Sequence, residues 1–271
     1  MLKKRIIFTL LYNDGFFVQS RNFNLQKVGD FKWIIKNYNF RNISFFIDEL
    51  IILDISRDKR DINKFIYSVE NIIDSCFVPV AVGGGIDSLE KAKILLSKIA
   101  DKVILNTINF SKPNVIKEIS EVYGEQSVLV SVDLKQQQQD YYIYMNNGRE
   151  LALISPKDFF GQMSKLPFGE IILNSIDKDG TGNGLDIEIV NLIPDSFYKP
   201  IIISGGCGNS EHINNGLKNS RISAVATANL LNFVGDGLKL ARNDLLKKNN
   251  FFPEWDLKKF SDLENVFSIK N

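Results

Sequence analysis

The sequence predicts an α/β fold, a (β/α)8 TIM barrel with a two-fold half-barrel internal repeat. Three observations lead there: eight apolar runs of strand length, helical spacing between them, and self-similarity at a shift of about 122 residues. A chain of 271 residues suits this fold, because one such barrel takes about 250 residues around a single core.

The strand-like runs are 5–11, 49–54, 78–82, 102–106, 128–133, 170–175, 200–204 and 224–228. Between them apolar residues recur with helical spacing, as in Leu89, Ala92, Leu95, Leu96 and Ile99, or Ile116, Ile119 and Val122. Strict alternation of the two patterns implies parallel strands joined by crossover helices. Asp87 with Glu90 three residues on reads as a capping box, and Ser111 before Pro113 as a helix start. A doubly wound open sheet would carry a Gly-rich turn after its first strand, where Asn13-Asp14-Gly15 reads as a plain turn.

At the repeat shift Gly84 falls on Gly206, Leu11 on Asp133, Asn106 on Ala228, and Asp54 within one residue of Asp177. The expected organisation is one barrel, 1–247, of half-barrels about 1–123 and 124–247, followed by a C-terminal extension, 248–271. One insertion, about 136–153, breaks the rhythm. Its glutamine run (Gln136 to Gln139) reads as a solvated linker into a β-hairpin around Asn146-Asn147-Gly148. The aromatic tail, with Phe251, Phe252, Trp255, Leu257 and Phe260, reads as a packed terminal helix.

Thirty-three basic residues against 32 acidic ones leave no global field to recruit nucleic acid or an anionic membrane. Only two cysteines, Cys76 and Cys207, and no signal-like start lead to the expectation of a cytoplasmic protein. His212 is the sole histidine, so a His-rich metal site is excluded and a Ser-His-Asp triad has one candidate. No metal and no cofactor are expected.

Glycines end the third and seventh strands, each just before a helix start. There backbone N–H groups and the helix N-terminus suit an anion. Gly84, Gly85, Asn106 and Thr107 form one predicted phosphate cradle; Gly180, Thr181, Gly205, Gly206, Ala228 and Asn229 form the other. Two cradles at half-barrel spacing suit an elongated small molecule phosphorylated at both ends.

The strings Leu2-Lys3-Lys4-Arg5-Ile6-Ile7, Asp14-Gly15, Ala81-Val82-Gly83-Gly84-Gly85-Ile86, Ala100-Asp101-Lys102-Val103 and Ser175-Ile176-Asp177-Lys178-Asp179-Gly180-Thr181 resemble the cyclase subunit of imidazole glycerol phosphate synthase. The resemblance covers residues 1 to about 245, and 175–181 is its most specific part. It implies a barrel that takes ammonia from a partner glutaminase, conducts it through its centre, and uses it at the opposite mouth on a bisphosphate.

The family's cyclase reaction uses two aspartates as acid and base. Asp133 matches one, but the other position holds Leu11, which cannot exchange a proton. A family lysine falls on Gln19 and a serine on Asn229, while Asp177 supplies a carboxylate at the same mouth. At the other end, Arg5, Glu49, Lys102 and Glu170 begin four strands and match the family's charged ammonia gate, with Asp101 matching a residue that faces the glutaminase. Burying four charges is costly, so a purely structural role explains them poorly.

An inlet kept while the cyclase acid is lost resembles the glycosyl amidation-associated branch of the family. Its members carry leucine at the position of Leu11 and work with a sugar amidotransferase. The expectation is therefore an ammonia-conducting subunit that supplies nitrogen for amidino sugars of surface polysaccharide. The alternatives are the histidine-pathway cyclase itself and a non-catalytic scaffold for phosphorylated ligands.

Overall fold

The computed structural model describes residues 3–38, 40–57, 60–74, 76–229, 236–248 and 251–253. Eight parallel strands close on themselves: β1 (Arg5–Asn13), β2 (Glu49–Asp54), β3 (Val80–Gly83), β4 (Lys102–Leu105), β5 (Val128–Gln137), β6 (Glu170–Ser175), β7 (Ile201–Ser204) and β8 (Ile222–Thr227). Each pairs with the next in the chain, and β8 pairs with β1 through Arg5↔Ala224 and Ile7↔Ala226. The barrel read from alternating strand and helix patterns is the one observed.

Period-two alternation divides the strands into two faces. On β1, Ile6, Phe8 and Leu10 are fully buried in the layer between strands and helices. Ile7 faces inward, into a second cluster with Ile51, Ala81, Ile104, Leu129, Ile172, Ile202, Ala224 and Ala226. Burial on both faces accounts for the nearly unbroken apolar runs. Truncating Phe8, at 0% exposure, to alanine removes about 3–5 kcal/mol.

Helix starts differ from expectation in detail. Ser88, not Asp87, caps helix Leu89–Lys98: its side chain accepts from the N–H of Lys91, and Asp87 instead pairs with the Lys91 ammonium at 2.7 Å. The extended backbone of Ser88 (φ −156°, ψ 161°) makes it the cap. Ser111 ends the short helix Ile108–Ser111, and helix Asn114–Tyr123 follows Pro113 without a side-chain cap.

Two hairpins stand at half-barrel spacing. β1 runs on to Asn13, turns through Asp14 and Gly15 at positive φ, and pairs with Phe16–Arg21, which pairs with Asn24–Gly29. The turn read as plain is thus the base of a hairpin that the sequence reading missed. The glutamine run is likewise no linker. Gln136 and Gln137 are ladder residues of β5 opposite Tyr141 and Asp140, and Gln138 makes the turn at φ 57° into Asp140–Met145.

At the chain's other end, the N–H of Lys4 donates to the carbonyl of Phe251 (2.9 Å), and Phe252 is buried beneath the Arg242 guanidinium. Arg242 holds Asp48 with two hydrogen bonds (2.9 and 3.0 Å) and reaches the carbonyl of Pro253 (2.8 Å). Trp255, Leu257 and Phe260, expected in a terminal helix, lie outside the described residues. Among the described residues no helix is long and apolar enough to cross a membrane.

Candidate functional site

Three layers stack along the barrel axis, because inward-facing residues two apart on each strand rise together from the N-terminal to the C-terminal end. The floor holds the four charges singled out in the sequence. Arg5 Nη1 lies 3.1 Å from both Glu49 Oε2 and Glu170 Oε1, and Arg5 Nη2 also donates to Glu170 Oε2. Lys102 Nζ lies 3.1 Å from Glu49 Oε1 and Oε2 and from Glu170 Oε1. Each cation therefore touches both anions in one closed cluster.

The two glutamates differ electrostatically. Burial pushes the Glu49 carboxyl up, against the pull of Lys102 and Arg5. Burial also opposes the charge on Glu170, but hydrogen bonding and charge from Arg5, with help from Lys102, outweigh it and hold its pKa below the usual range. Asp101, at the same end, is exposed and accepts from the N–H of Val80 (2.8 Å).

Above the floor lies the apolar sleeve of Ile7, Ile51, Ile104, Leu129 and Ile172, narrow in polarity but with small residues at Ala81, Ala224 and Ala226. Above the sleeve a cavity of about 850 Å³ opens at the C-terminal ends of the strands. Thr9, Leu11, Ser131, Asp133, Asn174 and Ala228 line its base, with Gly84, Gly85, Asn106, Thr107, Asp54 and Asp179 around it.

Asp133 is the central carboxylate. Only 7% exposed, it accepts from the Asn106 amide on Oδ2 (2.9 Å) and the Asn174 amide on Oδ1 (3.0 Å). Burial pushes its carboxyl up to about 6, against the two amides and with Asp179 adding to the rise. Asn106, expected only in a phosphate cradle, thus orients a carboxylate. Asn174 was missed, although it stands two residues beyond Ile172 on the inward face. Leu11, 8% exposed, also lines the cavity.

Asp177 does not line this cavity. Its Oδ2 accepts from the N–H of Gln136 (2.7 Å), tying the turn after β6 to the second hairpin. Asp179 lines the cavity instead, because the chain turns after Ser175 and brings the second carboxylate round. Asp179 accepts from Ser20 Oγ and from the N–H of Phe23 (3.0 Å), and burial raises its pKa. Asp54 lines the same wall, again with burial raising its pKa.

The first hairpin folds over the mouth through these contacts. Asn22 donates its N–H to the Asp179 carbonyl (2.9 Å) and its amide to the carbonyl of Asp177 (2.8 Å); Arg57 donates to that of Phe23. Gly180 sits under the crossing strand at φ 66°, where a Cβ would come within 1.8 Å of the Ser20 carbonyl oxygen. Its glycine identity is thus accounted for by the hairpin's close approach.

Of the first predicted cradle, Gly84 (φ 111°) and Gly85 line the cavity beside Thr107, Arg57 and Arg60. Of the second, Ala228 reaches the cavity, whereas Gly180, Thr181, Gly205, Gly206 and Asn229 do not line it. Gly206 accepts from the N–H of Gly184 (2.9 Å), and Asn229 donates its N–H to Thr227 Oγ1 (3.4 Å). His212 Nδ1 accepts from the N–H of Gly208 (3.1 Å) within its own turn, which is not a triad geometry. Among the described residues no three His, Cys, Asp or Glu side chains are grouped to hold a metal ion.

The model of the family described as "Histidine biosynthesis protein" matches residues 5–235. A protein of Parasynechococcus marenigrum (strain WH8102), provisionally named imidazole glycerol phosphate synthase subunit hisF2, is 52% identical over 242 residues, 89% of this chain and 90% of its own. Imidazole glycerol phosphate synthase subunit HisF of Pelodictyon phaeoclathratiforme (strain DSM 5477 / BU-1) is 34% identical over 92% of this chain and 98% of its own. The corresponding subunit of Chlorobium phaeovibrioides (strain DSM 265 / 1930) is 35% identical over 90% of this chain and 96% of its own.

Proposed function

The chain belongs to the histidine biosynthesis protein family, and on that premise we propose that it is a barrel subunit of the imidazole glycerol phosphate synthase type. In this reading it receives ammonia from a partner glutaminase at its floor and delivers it to a phosphorylated acceptor at its mouth. The observation that carries it is the closed cluster of Arg5, Glu49, Lys102 and Glu170 beneath an apolar sleeve that leads to Asp133. Breaking buried charge pairs is costly, and apolar residues would fill a barrel floor at least as stably. A functional demand for charge explains the cluster; stability alone does not.

Asp101, exposed at the same end, faces the glutaminase in this proposal. The Gly84–Gly85 turn, Thr107 and the nearby arginines take one phosphate of the acceptor, with N–H groups and charge together selecting an anion. Gly180, Thr181, Gly205, Gly206, Ala228 and Asn229 are proposed for a phosphate at the far end. Asp133, ionised above pH 6, takes up the proton that ammonia sheds as its nitrogen bonds to the acceptor. Its two amide partners hold it in place for that transfer. Asp54 and Asp179, with pKa values raised by burial, place at this mouth carboxyl groups that β1 does not.

Leu11 favours a second reading of the recipient. An aliphatic side chain where the cyclase has a carboxylate suits a barrel whose ammonia goes to a separate sugar amidotransferase, as in the glycosyl amidation-associated branch. The names of the relatives support the cyclase reading; Leu11 alone supports this one.

One experiment separates them. The purified barrel, mixed with its partner glutaminase, is expected to stimulate glutamine hydrolysis and to turn over the cyclase substrate with either glutamine or ammonium salt. Lys102→Ala should abolish glutamine use while ammonium salt restores turnover. No stimulation of the glutaminase overturns the whole proposal. Stimulation without cyclase turnover, together with glutamine-dependent sugar amidation when the amidotransferase is added, transfers it to the second reading.

A further inference from the structure

Thr9 and Ser131 stand one inward-facing step below Leu11 and Asp133 on β1 and β5, at the same repeat shift of 122 residues that relates the latter pair. Thr9 is 5% and Ser131 8% exposed, and both line the base of the cavity. Neither hydroxyl has a hydrogen-bond partner among the described residues, and neither oxygen is among the fully enclosed orphan atoms, which are Tyr12 Oη and Asn109 Oδ1. Each hydroxyl therefore opens onto cavity space from within an otherwise apolar wall.

An unpaired buried hydroxyl is unfavourable, and valine or alanine would fill the same volumes without that cost. The neighbouring inward positions do use such residues, with Ile7 and Leu129 directly beneath and Ala226 beside them. Two hydroxyls on opposite walls, between an apolar sleeve and the reacting carboxylate, need a ligand that pairs with both. A hydroxyl both donates and accepts, and so does ammonia, through one lone pair and three N–H bonds.

Resting on the function proposed above, we infer that Thr9 and Ser131 form a staging site for one molecule of neutral ammonia at the exit of the sleeve. Ammonia arriving from the sleeve exchanges no hydrogen bonds with its walls, and these hydroxyls are among the first polar side chains above it, together with Ser204, which lines the same cavity two residues beyond Ile202. Accepting its N–H bonds from two sides leaves the nitrogen lone pair directed up toward the acceptor and a proton within reach of Asp133. The two residues act as positioning residues; proton transfer stays with Asp133.

The test uses the full complex with the glutaminase and measures glutamate released and nitrogen product formed, with the cyclase substrate or, under the second reading, the amidotransferase present. Thr9→Val/Ser131→Ala keeps side-chain volume and removes both hydroxyls. It is expected to lower product per glutamate about tenfold, the effect of losing roughly one neutral hydrogen bond at each position. Glutaminase stimulation should be unchanged. With ammonium salt, KM for ammonia should rise by a similar factor while kcat holds, and Thr9→Ser should behave as wild type. An unchanged product-to-glutamate ratio and an unchanged KM overturn the staging site and leave the proposed function standing. A wild-type complex that makes no product from glutamine with either acceptor system overturns that function, and the staging site with it.

Discussion

The two ends of this barrel handle buried charge in opposite ways. At the floor, two cations and two anions satisfy one another within 3.1 Å contacts in a largely enclosed space. At the mouth, among the described residues, Asp133, Asp54 and Asp179 have no cation in hydrogen-bond contact and are held by neutral donors, and burial raises all three pKa values. Compensation makes the floor a fixed electrostatic element. Its lack at the mouth leaves carboxyls raised by burial, with Asp133 at about 6, which suits acid–base work.

The contrast can be broken from either end. Asp133→Asn removes the group with the most accessible proton, so turnover should fall about 100-fold or more while glutaminase stimulation stays within roughly twofold. An equal loss of both would mean that the mouth and floor are not separable. Arg5→Ala leaves Glu49 and Glu170 facing Lys102 alone, and urea denaturation should show a loss of about 3 kcal/mol, since an uncompensated buried charge remains.

Leu11→Asp places a carboxylate opposite Asp133. If the missing acid limits the chemistry, cyclase turnover with ammonium salt should rise about tenfold or more; a flat result would favour the sugar acceptor. The smallest effect is a pH dependence. Because the folded pKa of Asp133 is about 6, above the unfolded value near 3.8, the native state binds the extra proton between those values. Stability from this group is then present at low pH and is lost as pH rises through 6. Between pH 5 and 7 the wild type should lose about 1 kcal/mol relative to Asp133→Asn. Matching denaturation curves of the two proteins at pH 5 and pH 7 check the sign.

The ends also differ in how far the sequence exposed them. The floor residues are the first of their strands, so strand periodicity and the family motif were enough to bring Arg5, Glu49, Lys102 and Glu170 together. Asp133 and Gly84–Gly85 were equally legible, standing at the ends of apolar strand-length runs in the sequence. Asp179 was not: the motif pointed to Asp177, and only the path of the turn after Ser175 decides which carboxylate meets the cavity. The first hairpin was read as a plain turn because Phe16–Arg21 and Asn24–Gly29 have no strong apolar alternation of their own, and they gain their ladder only by pairing with β1.

By itself the sequence determined the barrel, its eight strands and the residues facing its axis, because alternation along a strand is a local property set by backbone geometry. The tertiary structure decided which polar groups meet across that axis. Asn106 and Asn174 close on Asp133, the first hairpin reaches Asp179, and the hydroxyls of Thr9 and Ser131 lie below them without a hydrogen-bond partner among the described residues. Those pairings join residues dozens to more than a hundred and fifty positions apart. Whether a buried polar group is satisfied depends on the neighbours that closure of the barrel brings to it.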